Sequence, residues 1–134
     1  MKKLFLYIVF LFSLSISAQE CRDSIEEKTE IKNLKLYKEN AHASYYHDKF
    51  DGRKTASGVR FDNSKLTAAH KKLPFGTKLK ITNEKNNKSV IVVITDRGPF
   101  INGREIDLSK KAFMDITSNK KGGVVFVKIE IIEK

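Results

Sequence analysis

The sequence predicts a mainly β protein, a small closed β-barrel carrying one or two short helices. Short runs of apolar and β-branched residues recur along it, residues 90–94 (Val-Ile-Val-Val-Ile) being the plainest. Gly and Pro breaks such as Pro74-Phe75-Gly76, Gly98-Pro99 and Gly122-Gly123 separate those runs. One stretch after residue 107 has apolar residues at clear helical spacing. Many short strands with few helices bury their apolar faces by closing a sheet on itself.

Residues 1–18 read as a signal peptide rather than part of the fold. Lys2 and Lys3 precede an apolar stretch, residues 4–16, interrupted only by Ser13 and Ser15, and Ser17-Ala18 offers a cleavage site before Gln19. An uncleaved anchor is the competing reading, although the apolar stretch is short for a bilayer. Lipid attachment at Cys21 is a further alternative; Glu20 stands where a lipoprotein signal wants a small residue. Export to the periplasm or cell envelope is expected, without stable membrane insertion. Cleavage leaves 116 residues, enough for one small domain, and lowers the formal charge from +10 to +8 by removing two lysines. Such a basic chain suits an anionic partner. Export argues against nucleic acid and leaves the phosphate- and carboxylate-rich bacterial envelope, or simple solubility, as the reason for the lysines. Cys21 is the sole cysteine, so neither an internal disulfide nor a cysteine zinc site is available. The three histidines match no metal spacing. No metal or cofactor is expected, and a monomer is.

Residues 19–40 are polar, charged and weakly periodic, and read as a flexible leader, with a loose helix over 23–36 as the alternative. The folded domain is placed at 41–134. Ala43-Ser44-Tyr45-Tyr46 reads as a first strand, and a helical turn is expected over 64–70. Residues 78–82 alternate like a half-buried strand. The polar loop 83–88, with its Asn86-Asn87 pair, reads as a hairpin turn into the strand at residue 90. Asp107 or Ser109 can cap a helix that places Leu108, Ala112, Phe113 and Ile116 on one face. Residues 124–132 form a long final strand.

The candidate chemistry lies in a few side chains. Asp96 and Arg97 leave the strand where Gly98-Pro99 forces a bend, and binding groups concentrate at such places. An Asp bonded to its own turn and paired with Arg97 is the structural alternative. Asp107 is either a helix cap or a second acid. His70 is either a functional group or a histidine hydrogen-bonded inside the barrel. His42 and His47 flank Tyr45 and Tyr46, whose rings and hydroxyls suit sugars or ordinary strand packing.

An ordered set of motifs joins these residues: Ala43-Ser44-Tyr45-Tyr46, Gly52-Arg53-Lys54-Thr55-Ala56-Ser57-Gly58, Leu66-Thr67-Ala68-Ala69-His70, Leu73-Pro74-Phe75-Gly76-Thr77, Thr82-Asn83, Asp96-Arg97-Gly98-Pro99-Phe100 and Arg104-Glu105-Ile106-Asp107-Leu108-Ser109. Over residues 41–132 the chain closely resembles the rare lipoprotein A family, expansin-related lytic transglycosylases of peptidoglycan. The resemblance implies a six-stranded double-psi β-barrel acting on glycan strands stripped of stem peptides. It implies Asp96 as the catalytic acid, with His70 and Asp107 as further catalytic residues. Tyr45, Tyr46, Thr55 and Arg97 are the expected substrate-binding residues. One departure stands out: Val59 occupies the position of the family's active-site glutamate.

The implied reaction cleaves the bond between N-acetylmuramic acid and N-acetylglucosamine without water and leaves a 1,6-anhydro end. One carboxyl group suffices, unlike the pair used by ordinary glycosidases. Asp96 has to begin protonated, which asks for a pKa above the ~3.9 of a free Asp. Desolvation and a nearby Asp107 act in that direction and a close Arg97 against it, although strand alternation turns Arg97 away. The alternative is an expansin-like barrel that binds glycan without cutting it.

Overall fold

The computed structural model describes residues 33–117 and 122–134. The expected signal peptide, and the expected leader as far as residue 32, lie outside the described residues. Six strands, β1 (Leu34–Tyr45), β2 (Thr67–His70), β3 (Lys78–Asn83), β4 (Ser89–Asp96), β5 (Ile106–Leu108) and β6 (Val125–Ile132), close into a barrel in the order β1-β5-β2-β4-β3-β6. The β1–β5 and β2–β4 pairs are parallel and the other four antiparallel. Closure leaves no open sheet edge. One helix, α1 (Lys110–Ile116), and a 3-10 turn over Asp48–Phe50 complete the described elements. The expected mainly β closed barrel is therefore the observed one.

Alternation fills its interior. Leu79 and Ile81 of β3, Val92 and Ile94 of β4, Ile106 and Leu108 of β5, and Val127 and Ile129 of β6 are all fully buried. Phe113 and Ile116 of α1 join that core. The β3–β4 hairpin turns where expected. Asn87 takes a left-handed φ of +60°, and the Asn83 N–H donates to the Lys88 carbonyl at 2.8 Å.

Two expectations are corrected and one open choice is settled. The folded part begins at Leu34, not residue 41, because residues 34–40 pair with β6, Leu34 opposite Ile132 and Lys38 opposite Ile129. These residues are mostly exposed, and the ladder shifts register twice before Ala41, with Asn40 at φ +50°. Apart from Leu34-Lys35-Leu36 they carry no apolar alternation in the sequence, and β6 supplies the order. Residues 67–70 form a strand rather than a helical turn. Backbone pairing to β4 on one side and β5 on the other overrides the helix preference of Ala68-Ala69. Ser109, not Asp107, caps α1: its hydroxyl accepts from the Ala112 N–H, while Asp107 is the central residue of β5.

Candidate active site

Asp96 owes its position to an irregularity in β4. Ala68 of β2 faces Ile94, but the next residue, Ala69, faces Asp96, so Thr95 is an extra residue on the β4 side. Even-numbered residues of β4 point into the core as far as Ile94. Strict alternation would send Asp96 after them. The inserted Thr95 turns it to the other face, a known use of bulges beside functional sites. On that outer face Ala69 also lies opposite Asp107, which lies opposite Ser44. Asp96 and Asp107 thus occupy one row, two strands apart, roughly 10 Å between Cα atoms.

A folded-back loop over residues 52–61 covers the row. The Gly52 N–H bonds the Phe61 carbonyl at 2.8 Å, the Phe61 N–H bonds the Arg53 carbonyl at 2.7 Å, and Lys54 bridges Arg60. Thr55 closes the tip: its N–H and its hydroxyl both donate to the Val59 carbonyl, at 2.8 and 2.6 Å. Gly58, at φ +93°, permits the tight return. The tip presents the Ala56 N–H to Asp96 Oδ1 at 2.9 Å and the Ser57 N–H to the Thr95 carbonyl at 3.2 Å.

Asp96 has three donors. Oδ1 accepts from the N–H groups of Ala56 and Arg97, each at 2.9 Å, and Oδ2 accepts from the Tyr46 hydroxyl at 2.7 Å. Tyr46 is braced by Phe61, ring centroids 4.4 Å apart, and by Phe50 at 5.7 Å. Burial first, then the hydrogen bond and charge of Asp96, push the Tyr46 phenol well above its ordinary pKa. It therefore remains a proton donor toward Asp96 at neutral pH. Asp107 accepts from the Arg104 guanidinium through both Nε and Nη2.

The other expected residues divide. Arg97 is turned from Asp96, as alternation implies. Its guanidinium donates to the carbonyls of Leu73 at 2.8 Å and His70 at 3.4 Å, and lies 3.9 Å from the centroid of the Phe75 ring. Thr55 is a buried builder of the loop tip. Tyr45 points inward, its ring 4.7 Å from that of Phe113, so it lies apart from its neighbour Tyr46. His42 meets the Phe126 ring, and His47 caps the 3-10 turn. Val59, in place of the family acid, is 58% exposed at the covering loop.

His70 stands outside the hydrogen-bonded group around Asp96. Its Nδ1 accepts from the N–H groups of Lys72 and Leu73, at 3.1 and 3.2 Å, so the proton sits on Nε2, 3.0 Å from Glu105 Oε1. Burial holds its pKa below the ordinary value of 6.5, against the opposing pull of Glu105. Glu105 also accepts from Lys38 at 2.7 Å. Burial pushes the Glu105 carboxyl up, but its bonds to Lys38 and His70 outweigh this and leave it below its usual range. Arg104 and Glu105 were not singled out from the sequence. The three-residue spacing of Arg104 and Asp107 was a usable signal, but the meeting of Glu105 with His70 depends on the β2–β5 pairing.

The lytic transglycolase family model matches residues 38–129. The chain is 48% identical over 103 residues to the endolytic peptidoglycan transglycosylase RlpA of Rickettsia felis, covering 75% of this chain and 45% of that protein. It is 58% identical over 71 residues to the probable endolytic peptidoglycan transglycosylase RlpA of Treponema pallidum, covering 53% and 22%. It thus spans less than half the length of either relative. Two solved structures share the double-psi barrel fold. The Streptomyces papain inhibitor has a TM-score of 0.56 at 21% identity, covering 76% of this chain and 96% of that one. The expansin of Clavibacter michiganensis has a TM-score of 0.55 at 18% identity, covering 70% and 50%. With six strands closed in this order and the family's motifs running through them, the chain belongs to the lytic transglycolase family of rare lipoprotein A-like barrels.

Proposed function

We propose that this protein is an endolytic peptidoglycan lytic transglycosylase, cutting the N-acetylmuramic acid–N-acetylglucosamine bond of stem-peptide-free strands, with Asp96 as general acid and then base. One observation carries the reading: a bulge turns the Asp96 carboxyl out of the barrel, and Tyr46, Ala56 and Arg97 fix both of its oxygens beneath a covering loop. In the proposed step the Asp96 carboxyl gives its proton to the glycosidic oxygen as the bond to the muramyl anomeric carbon breaks. The muramyl 6-hydroxyl attacks that carbon and gives its proton to Asp96. No water is consumed, and the acid is regenerated. Placing Asp107 in the same row, held by Arg104, supports a role in shaping the groove rather than a second proton transfer.

The exposed Val59 favours a second reading, an expansin-like barrel that binds strands and leaves them whole. Mass spectrometry of naked glycan strands separates the two. Wild type releases 1,6-anhydro ends, and Asp96→Asn, which keeps the shape but cannot exchange a proton, loses ~10²–10⁴-fold of that activity. Val59→Glu, on an open loop face, raises it. Binding without anhydro ends in wild type replaces the enzyme reading with the expansin-like one. Export to the periplasm or envelope through residues 1–18 is part of the proposal. The intact mass of the envelope form should begin at Gln19, and a diacylglycerol mass on Cys21 would overturn the unanchored form.

A further inference from the structure

A concave site lies at the same rim of the barrel as Asp96, and the proton transfers written above do not use it. It is a pocket of about 390 Å³ lined by Tyr37, Lys38, His70, Lys71, Lys72 and Glu105. We propose that this pocket is an anion subsite that takes the sugar-borne carboxylates of the glycan strand cut at Asp96, an inference that rests on the function proposed above.

Charge favours this assignment. Three lysines face one carboxylate, and that carboxylate is already engaged by Lys38 at 2.7 Å and His70 at 3.0 Å. His70 is uncharged in this arrangement because Nδ1 accepts two backbone N–H groups. Glu105 is thus taken, and the ammonium groups of Lys71 and Lys72 form no ion pair among the described residues. Both lysines are exposed, on a turn fixed by the bonds from the Lys72 and Leu73 N–H groups to His70. Two uncompensated cations on a rigid turn attract an anion without first giving up another partner.

Position and shape choose a glycan carboxylate over a free ion. β2 and β4 run parallel, so His70 and Asp96 end neighbouring strands at the same rim of the barrel. Arg97, the residue after Asp96, donates to the carbonyls of His70 and Leu73 and ties the two sites together. The half-buried Tyr37 ring, set edge-on to His70 at 5.3 Å, gives the pocket an aromatic wall of the kind that meets sugar faces. A strand stripped of stem peptides carries a free lactyl carboxylate on every muramyl residue. One such group can enter this pocket while a neighbouring linkage lies at Asp96.

The test measures binding rather than cleavage, on the Asp96→Asn protein, so that strands are not consumed. Calorimetric titration compares naked strands with the same strands after their carboxylates are converted to amides. Lys71→Gln/Lys72→Gln should weaken binding of the carboxylate strands roughly tenfold, leave the amidated strands unaffected, and flatten the salt dependence. Equal affinity of the double variant, or equal affinity for both strand types, overturns the proposal. So does displacement of the strand by inorganic phosphate at constant ionic strength. The result is separable from the cleavage reading. Anhydro ends with no effect of the lysines sink only the subsite, and lysine-dependent binding without anhydro ends sinks only the enzyme.

Discussion

Tyr46 is the residue through which the covering segment and the barrel meet. Its ring rests on Phe61 and Phe50, and its hydroxyl reaches Asp96 Oδ2 at 2.7 Å. Replacing it by Phe keeps the ring packing and removes only the hydroxyl. A hydrogen bond to a charged group contributes ~1.5–3 kcal/mol. Tyr46→Phe is therefore expected to lower turnover on naked strands roughly 10- to 100-fold and the melting temperature by roughly ten degrees; steady-state release of anhydro ends, measured well below the unfolding transition of both proteins, checks the rate. An unchanged rate would remove Tyr46 from the machinery that orients the acid. The sequence placed Tyr45 and Tyr46 together as sugar platforms. Adjacent residues leave a strand in opposite directions, so Tyr45 goes inward to Phe113 and only Tyr46 reaches Asp96.

Among the elements, α1 depends most on other segments. Seven residues are too few to hold a helix in water without outside partners. Ser109 caps its start, accepting from the Ala112 N–H and donating to the Lys65 carbonyl. At its end the Ile116 carbonyl accepts from Asn83 Nδ2 at 2.7 Å and Asn86 Nδ2 at 3.1 Å. Asn83, 4% exposed, also accepts from the Lys85 N–H, so one amide fastens both the hairpin and the helix end. Asn83→Ala should cost ~1–3 kcal/mol by removing the shorter of the two bonds to the Ile116 carbonyl and the acceptor of the Lys85 N–H. Urea unfolding measures this, and a loss below about 0.5 kcal/mol would contradict the fastening role. The sequence marked β3 by its alternation, β4 by its unbroken β-branched run, the hairpin by its polar Asn86-Asn87 loop and β6 by the apolar stretch after Gly122-Gly123. It misread β2, where two alanines and a histidine carry no strand pattern of their own and are ordered by two flanking ladders.

For the whole molecule, pH couples to the fold through the barrel end that holds His70. Its folded pKa lies below 6.5, so protons bind the unfolded chain first as pH falls through that value. Glu105, held below its usual 4.5, adds a loss of the same sign below that value. At the alkaline end the raised Tyr46 phenol works in the opposite sense. The unfolded chain gives up that proton from about pH 10 while the folded chain keeps it, and stability falls as pH rises. Stability should therefore be highest between these limits and begin to fall below pH 6.5, as followed by urea unfolding at stepped pH. His70→Asn, which keeps an acceptor for the turn but does not titrate, should remove the decline between 6.5 and 4.5; an unchanged slope would assign it to other groups. By itself the sequence determined the mainly β class, the core strands β3, β4 and β6, the helix and the family, because these follow from local periodicity, turn chemistry and an ordered set of motifs. Only the tertiary structure decided that residues 34–40 join the barrel, that Thr95 is an inserted residue that turns Asp96 outward, and that His70 sits with Lys38 and Glu105 instead of Asp96. Those outcomes are set by pairing between strands far apart in the chain, and a one-residue shift in such pairing reverses a side chain's face without leaving any mark on local periodicity.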